Sequence, residues 1–268
     1  MSYLELFVEL RNYSIHTEQA AAQERVWWQD CIKAQAMVLS DRPTKPVDAA
    51  LFFGRAWHDA EKTGVYQLMV DFYNKGWVKN VAVYGNEGQK FGEKDPAMLE
   101  PNNLFPKERR KKMVGPAREI ARARLIRMGI PDEHIILTQI PDPSVNNTLA
   151  ESMGFFITAK DQGWESAVVI ANPHQLLREM LGLVQIMDKE PEYCLNIYSA
   201  APTSTDWKRR VRGAQGEHFA PREEHIALET NRIRTYQQTG DLASFDRYFE
   251  YIIKRNKTLG VNTFLPRR

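Results

Sequence analysis

Cysteine is scarce in this chain, with Cys31 and Cys194 the only two in 268 residues. They stand too far apart for a redox pair or a zinc-ligand pair, so a reducing cytoplasm is the expected compartment. Long apolar runs are missing as well. No stretch approaches the roughly 20 residues that cross a bilayer. The opening Met1-Ser-Tyr-Leu-Glu-Leu-Phe-Val-Glu-Leu10 has acids inside its apolar run and no basic flank before it, which argues against a signal peptide. No membrane partner is expected. Neither sign of charge dominates, and the formal net charge of +2 weighs against nucleic acid as a partner.

Several specific chemistries are missing too. Gly85-Asn-Glu-Gly-Gln-Lys-Phe-Gly92 is rich in glycine but lacks the Lys-Ser/Thr ending of a phosphate-binding loop. No G-x-G-x-x-G follows the first apolar burst, against an ordinary NAD or FAD site. There is no G-x-S-x-G elbow, no H-E-x-x-H helix and no Cys/His cluster, and the six histidines are scattered. A metal site and a serine nucleophile are therefore not expected.

What the chain does have is an alternation. Apolar bursts at Ala49–Phe53, Val81–Tyr84, Ile135–Thr138, Ala167–Ala171 and Leu195–Tyr198 are separated by stretches with helical periodicity. The turns after them carry Gly54-Arg55-Ala56, Gly85-Asn86-Glu87-Gly88, Ser144-Val-Asn146-Asn147-Thr148 and Asn172-Pro173-His174. This pattern predicts an α/β fold: a Rossmann-like, mostly parallel sheet of about five strands flanked by helices, with its ligand site at the strands' carboxyl ends. Residues 1–46 read as a helical N-terminal extension and 47–200 as the α/β core. Residues 201–268, where strand signals fade, read as a helical C-terminal extension packed on the core. Helices are expected at about 66–75, from Pro116 to Met128, at 148–161, from Pro173 onward, at 223–236 and around Phe245–Ile253.

The ordered turns carry a resemblance. Asp48-Ala-Ala-Leu-Phe-Phe-Gly54, Tyr73-Asn-Lys-Gly76 with Val81-Ala-Val-Tyr-Gly85, Glu119 with Arg127-Met-Gly129-Ile-Pro131, Asn147-Thr148, and Asn172-Pro173-His174 together resemble the DUF218 (YdcF-like, SanA/ElyC-like) family over roughly residues 47–200. The chain departs from that family's pattern at Arg55 and Ala56 (a second glycine), at Ala150 and Glu151 (Glu, then Asn) and at Leu177 (Arg). The resemblance implies a Rossmann-like sheet with a small-molecule site at its C-terminal edge, and it brings S-adenosylmethionine into consideration. It also lifts Glu119 from a helix-start acid to a site candidate.

The residues themselves argue in parallel. Thr148-Leu-Ala-Glu151 is a capping-box pattern. The same helix start could receive an anion, with Asn146 and Asn147 adding amide groups. Asn172-Pro173 reads as a helix cap with Pro in the first helical position, which places His174 in the first turn. There it is either a structural hydrogen-bonder or a general acid/base. Arg178, four residues on, shares its face and is either an anion holder or a solvated ion pair. Arg55 directly follows the first strand, where a guanidinium suits phosphate or carboxylate. The basic runs Lys107–Lys112 and Lys208–Arg212 read as solvated surface, with attraction of an anionic substrate or nucleic acid, and closure of the first over a phosphorylated ligand, as the alternative.

The expected function is binding of an anionic small molecule, nucleotide-like or S-adenosylmethionine-like, with group transfer as the reaction if there is one. His174, Glu119 and Glu151 are the catalytic candidates. Gly54, Arg55, Gly85, Asn86, Asn146, Asn147, Thr148, Asn172 and Arg178 are the binding candidates. A phosphate-ester or glycosyl hydrolase using Glu119 or Glu151 as base is one alternative. A non-catalytic ligand sensor or scaffold, whose helical tail holds a partner or a second copy of the chain, is the other.

Overall fold

A computed structural model describes residues 22–53, 64–84, 90–91, 115–139, 148–202, 206–212 and 219–261. Five strands, β1 (Val47–Phe52), β2 (Val78–Val83), β5 (Ile135–Leu137), β6 (Ser166–Ile170) and β7 (Asn196–Ala200), form one sheet in the order β5-β2-β1-β6-β7. Every neighbouring pair in it is parallel. These strands are the five apolar bursts, shifted by three residues or fewer at either end. Two short antiparallel pairs lie outside the sheet: β3 (Lys90–Phe91) with β4 (Gly115–Pro116), and β8 (Arg210–Arg212) with β9 (Phe219–Pro221).

Strand parity sorts the core into two layers, because alternate residues point to opposite faces. Ala49, Leu51, Ala82, Ala167, Val169 and Ile197 meet α1 (Ala22–Ser40), α4 (Thr148–Asp161), α5 (Leu176–Lys189), α6 (Arg222–Gln238) and α7 (Phe245–Thr258). Ala50, Phe52, Val81, Val83, Val168 and Ile170 meet α2 (Val65–Asn74) and α3 (Ala117–Arg127). The chain is an α/β protein of Rossmann-like arrangement, with helices on both faces of a parallel sheet.

Most helix expectations hold to within a residue or two, and α4 coincides with 148–161. Gly76 (φ 69°) and Gly129 (φ 101°) end their helices in the left-handed region that favours glycine. Two starts differ. Pro116 lies in β4, so α3 begins at Ala117. Pro173 and His174 form a turn in which the Asn172 carbonyl accepts from the Gln175 and Leu176 amides at 2.9 and 3.1 Å, so α5 begins at Leu176. The expected helix over 1–46 is present from Ala22 to Ser40, and its earlier residues lie outside those described. Phe245, Tyr248, Phe249 and Ile252 of the tail are buried in the chain's own core, while Ile253 is 41% exposed. No described helix is long and apolar enough to cross a membrane.

Both extensions act on β7, the last strand of the sheet. Arg255 Nη1 donates to the Ile197 carbonyl at 2.6 Å, and the Ile197 amide donates to the Tyr251 hydroxyl at 2.6 Å. The Ser199 amide donates to Asp41 Oδ2, and Arg42 donates to the Ser199 and Ala201 carbonyls. Arg255 in turn grips Asp41 through two 2.8 Å bonds and lies 4.2 Å from the Tyr198 ring centre. A strand edge leaves one row of main-chain groups unpaired, and here side chains pair them. At the start of the strands, Asp48 Oδ2 accepts from the Glu165 and Ser166 amides and the Ser166 hydroxyl, tying β1 to the start of β6.

Arg255→Ala leaves Asp41 facing the edge without its cation. It is expected to cost about 3–5 kcal/mol of unfolding free energy in urea titrations; a loss under about 1 kcal/mol would show that the pair does not hold the edge.

Candidate functional site

Counting sheet strands along the chain, the order is third-second-first-fourth-fifth. This matches the doubly wound order, in which crossovers from the first strand run one way and those from the fourth the other. The reversal falls between β1 and β6. Phe52 opposite Ile170 is the last rung of that pair. Beyond it the chains part, β1 toward Phe53 and β6 toward Ala171-Asn172-Pro173-His174. Ligands of open α/β sheets bind in the crevice outside this point.

The turn after β6 is held in place from several sides. Gln35 of α1 donates to the Pro173 carbonyl at 3.2 Å, and the Asn172 side-chain amide donates to Gln175 Oε1 at 3.4 Å. His174 is 4% exposed, and its ring centre lies 5.7 Å from that of His225, which is 2% exposed and sits near the start of α6.

One helical turn further in, Arg178 is buried as completely. Its Nε donates to Glu229 Oε2 at 2.5 Å, its Nη2 stands 3.0 Å from Glu179 Oε1, and its Nη1 donates to the Thr148 hydroxyl. Glu229 Oε1 also takes a 2.5 Å bond from Arg232 Nη1. Thr148 reaches Arg178 because α4 passes close to α5 at Gly182: a Cβ there would lie 3.5 Å from Thr148 Cγ2 and 3.6 Å from Ser152 Oγ.

Burial works against the Arg178 charge, but Glu179, Glu229 and Glu151 outweigh it and push its pKa above the ordinary value. Burial also pushes the Glu229 carboxyl up. Arg178, by pairing and hydrogen bonding, with Arg232 and His174, overcomes this and holds it below the usual range. At neutral pH Arg178 and Glu229 are therefore an ionised pair.

Of the sequence-derived candidates, the structure brings Thr148, Glu151, Arg178, Asn172 and His174 to one place at the sheet's C-terminal edge. Thr148 is the first residue of α4, and its hydroxyl takes a hydrogen bond from Arg178. Arg178 is in an ion cluster inside the protein, not a solvated pair. Glu119 stands elsewhere, on α3 against the other face of the sheet. It is 3.6 Å from Arg122, which binds Asp132 through two 2.7 Å bonds at the surface. Gly54, Arg55, Gly85, Asn86, Asn146 and Asn147 lie outside the described residues, as does the basic run 107–112. In the second run, Lys208 pairs with Glu223 at 3.1 Å, and β8 begins at Arg210.

Sequence reasoning missed His225 and Glu229. Both lie in a charged helix, where nothing in the local pattern singles them out. Among the described residues, no group of three or more His, Cys, Asp or Glu is placed to hold a metal ion. No family model, curated protein or solved structure matches the chain.

Removing Arg178 while its carboxylates stay leaves buried charge uncompensated, so Arg178→Met is expected to destabilise by about 3–5 kcal/mol. With Glu229→Met added, the total should fall short of the sum of the single variants. Glu229 has a depressed pKa in the folded state, so its contribution is present above about pH 4.3 and lost as the pH falls through its folded value. The gap between wild type and Arg178→Met should therefore narrow in acid. Denaturant unfolding across pH measures both effects, and a gap that stays constant with pH would contradict the pairing.

Proposed function

We propose that the chain binds an anionic small molecule, nucleotide-like or S-adenosylmethionine-like, in the crevice between the ends of β1 and β6, and acts on it as a group-transfer enzyme. The observation that carries this reading is the position of His174: a buried imidazole in the turn that follows β6, at the strand-order reversal. Asn172 lies in the same turn. The starts of α4 and α5 lie at this edge, where the helix dipole favours an anion.

Arg178 enters the proposal in a changed role. Its donors are engaged by Glu229, Glu179 and Thr148, so it supports the site's architecture while ligand charge falls to Arg55 and the helix starts. His174 is assigned the proton transfer. As in the resemblance to the DUF218 family, the ligand lies across the strand ends.

A second reading, a ligand-binding protein without turnover, is favoured by that same engagement of Arg178, which gives the ion cluster a structural task. The hydrolase reading gains less support, because Glu119 stands beside Arg122 on the other face of the sheet and Glu151 acts on the buried Arg178 charge.

Thermal-shift titration against nucleotides, S-adenosylmethionine and phosphosugars tests the proposal. A ligand at one hundred times its Kd should raise Tm by about 5–10 °C. The shift should be lost in Arg55→Ala and kept in His174→Gln. Turnover that survives His174→Gln would remove the catalytic assignment, and no shift with any compound would sink the small-molecule reading.

A further inference from the structure

Gln175 leads from the turn after β6 into α5, and its side chain does nothing for the helix it precedes. It holds the cap position of this 14-residue helix and makes no side-chain bond to the helix start. Ser, Thr, Asp and Asn are preferred there because their short side chains answer the first amides. Gln175 is nevertheless only 5% exposed. Its Oε1 accepts from the Asn172 side-chain amide at 3.4 Å, which keeps the carboxamide at the turn that leaves the sheet at the strand-order reversal. Its Nε2 is buried and has no hydrogen-bond partner among the described residues.

Such an atom calls for a physical reason. Most buried polar atoms are paired, and a buried donor left without an acceptor is costly. An amide nitrogen only donates, so it cannot turn to a neighbouring N–H group as a hydroxyl can. The buried Gln35 gives the contrast at the same turn: its Nε2 donates to the Pro173 carbonyl at 3.2 Å.

The acceptor that suits this position is negatively charged. Gln175 stands at the positive end of the α5 dipole, which favours an anion near the first turn. The Arg178 guanidinium, further along α5, is already engaged by Glu229, Glu179 and Thr148. The dipole and the Gln175 donor are left to receive the charge.

We propose that Gln175 is a specificity-determining residue, whose Nε2 donates to an oxyanion of the ligand, a phosphate or carboxylate oxygen, and seats that end of the molecule at the start of α5. The assignment rests on the reading that a ligand lies in the crevice between β1 and β6. The donor destabilises the ligand-free chain and is answered when the oxyanion arrives.

The test compares the full chain with Gln175→Met, which is similar in size and lacks the donor. Without ligand, the variant should melt at or above the wild-type temperature. A fall of more than about 5 °C, or a failure to fold, would show that the Gln175 side chain has a structural task and overturn the proposal. Calorimetric titration then uses two pairs of probes: adenosine monophosphate with adenosine, and S-adenosylmethionine with methylthioadenosine, which lacks the amino-acid end. Gln175→Met should weaken the oxyanion-bearing member of one pair about ten- to hundredfold and leave its counterpart within about twofold. A loss on adenosine monophosphate assigns a phosphate, and one on S-adenosylmethionine a carboxylate. Equal affinity in both proteins, or a loss shared by the counterpart, would overturn the proposal and leave the binding reading intact. A wild type that binds none of the four also overturns it, while the binding reading stands or falls on the wider ligand screen.

Discussion

Arg178 sits where a guanidinium is costly to bury, and the architecture of the sheet's C-terminal edge follows from how that cost is met. Three carboxylates and a hydroxyl converge on it from α4, α5 and α6, segments separated by 30 and 51 residues along the chain. Replacing such a cluster with well-packed apolar residues is often neutral or stabilising, so its presence is weak evidence for stability as an end in itself. What it does impose is geometry. Glu229 can meet Arg178 only if α6 lies against α5 in one register, and that register sets His225 beside His174. Thr148 joins from α4, which packs against α5 in ordinary contact at Gly182.

The same constraint changes the standing of the C-terminal segment. A tail merely packed on a finished domain would touch it through apolar side chains, as Phe245, Tyr248 and Phe249 do. Here the tail also delivers polar groups to two places inside the core: His225 and Glu229 to the strand ends, and Tyr251 and Arg255 to the edge of β7. The sheet and the tail are thus coupled through hydrogen bonds that neither could satisfy alone.

Much of the scaffold was legible in the sequence. Parallel strands buried on both faces read as short continuous apolar runs, which is why the bursts at Ala49, Val81, Ile135, Ala167 and Leu195 marked the five strands. The helix expected over 148–161 has those bounds in α4, and the apolar period from Phe245 marked the start of α7 but stopped at Ile253, five residues before its end. Pro116 and Pro173 misled because proline suits a helix start and an irregular turn equally well. The pairs β3–β4 and β8–β9 are too short to leave a periodicity. Thr148, Asn172, His174 and Arg178 were legible as neighbours at the sheet's C-terminal edge because they stand in or just beyond the segments that follow strands. His225 and Glu229 were not, since a histidine and a glutamate in a charged helix look like any solvated face. Pairing across 51 residues is set by tertiary packing, and local pattern carries no trace of it. Glu119, advanced by resemblance alone, lies on the other face.

The way β7 is finished has a consequence for how copies of this chain can meet. A strand whose outward carbonyls and amides are already answered by Tyr251, Arg255, Asp41 and Arg42 has nothing to offer an approaching strand, so the sheet cannot grow into a neighbouring molecule on that side. At the other end, β5 is only three residues long and offers little to a partner. That edge is therefore closed by side chains of α7 and of the segment after α1, and loosening α7 would uncover the Ile197 amide and carbonyl as a template for intermolecular pairing.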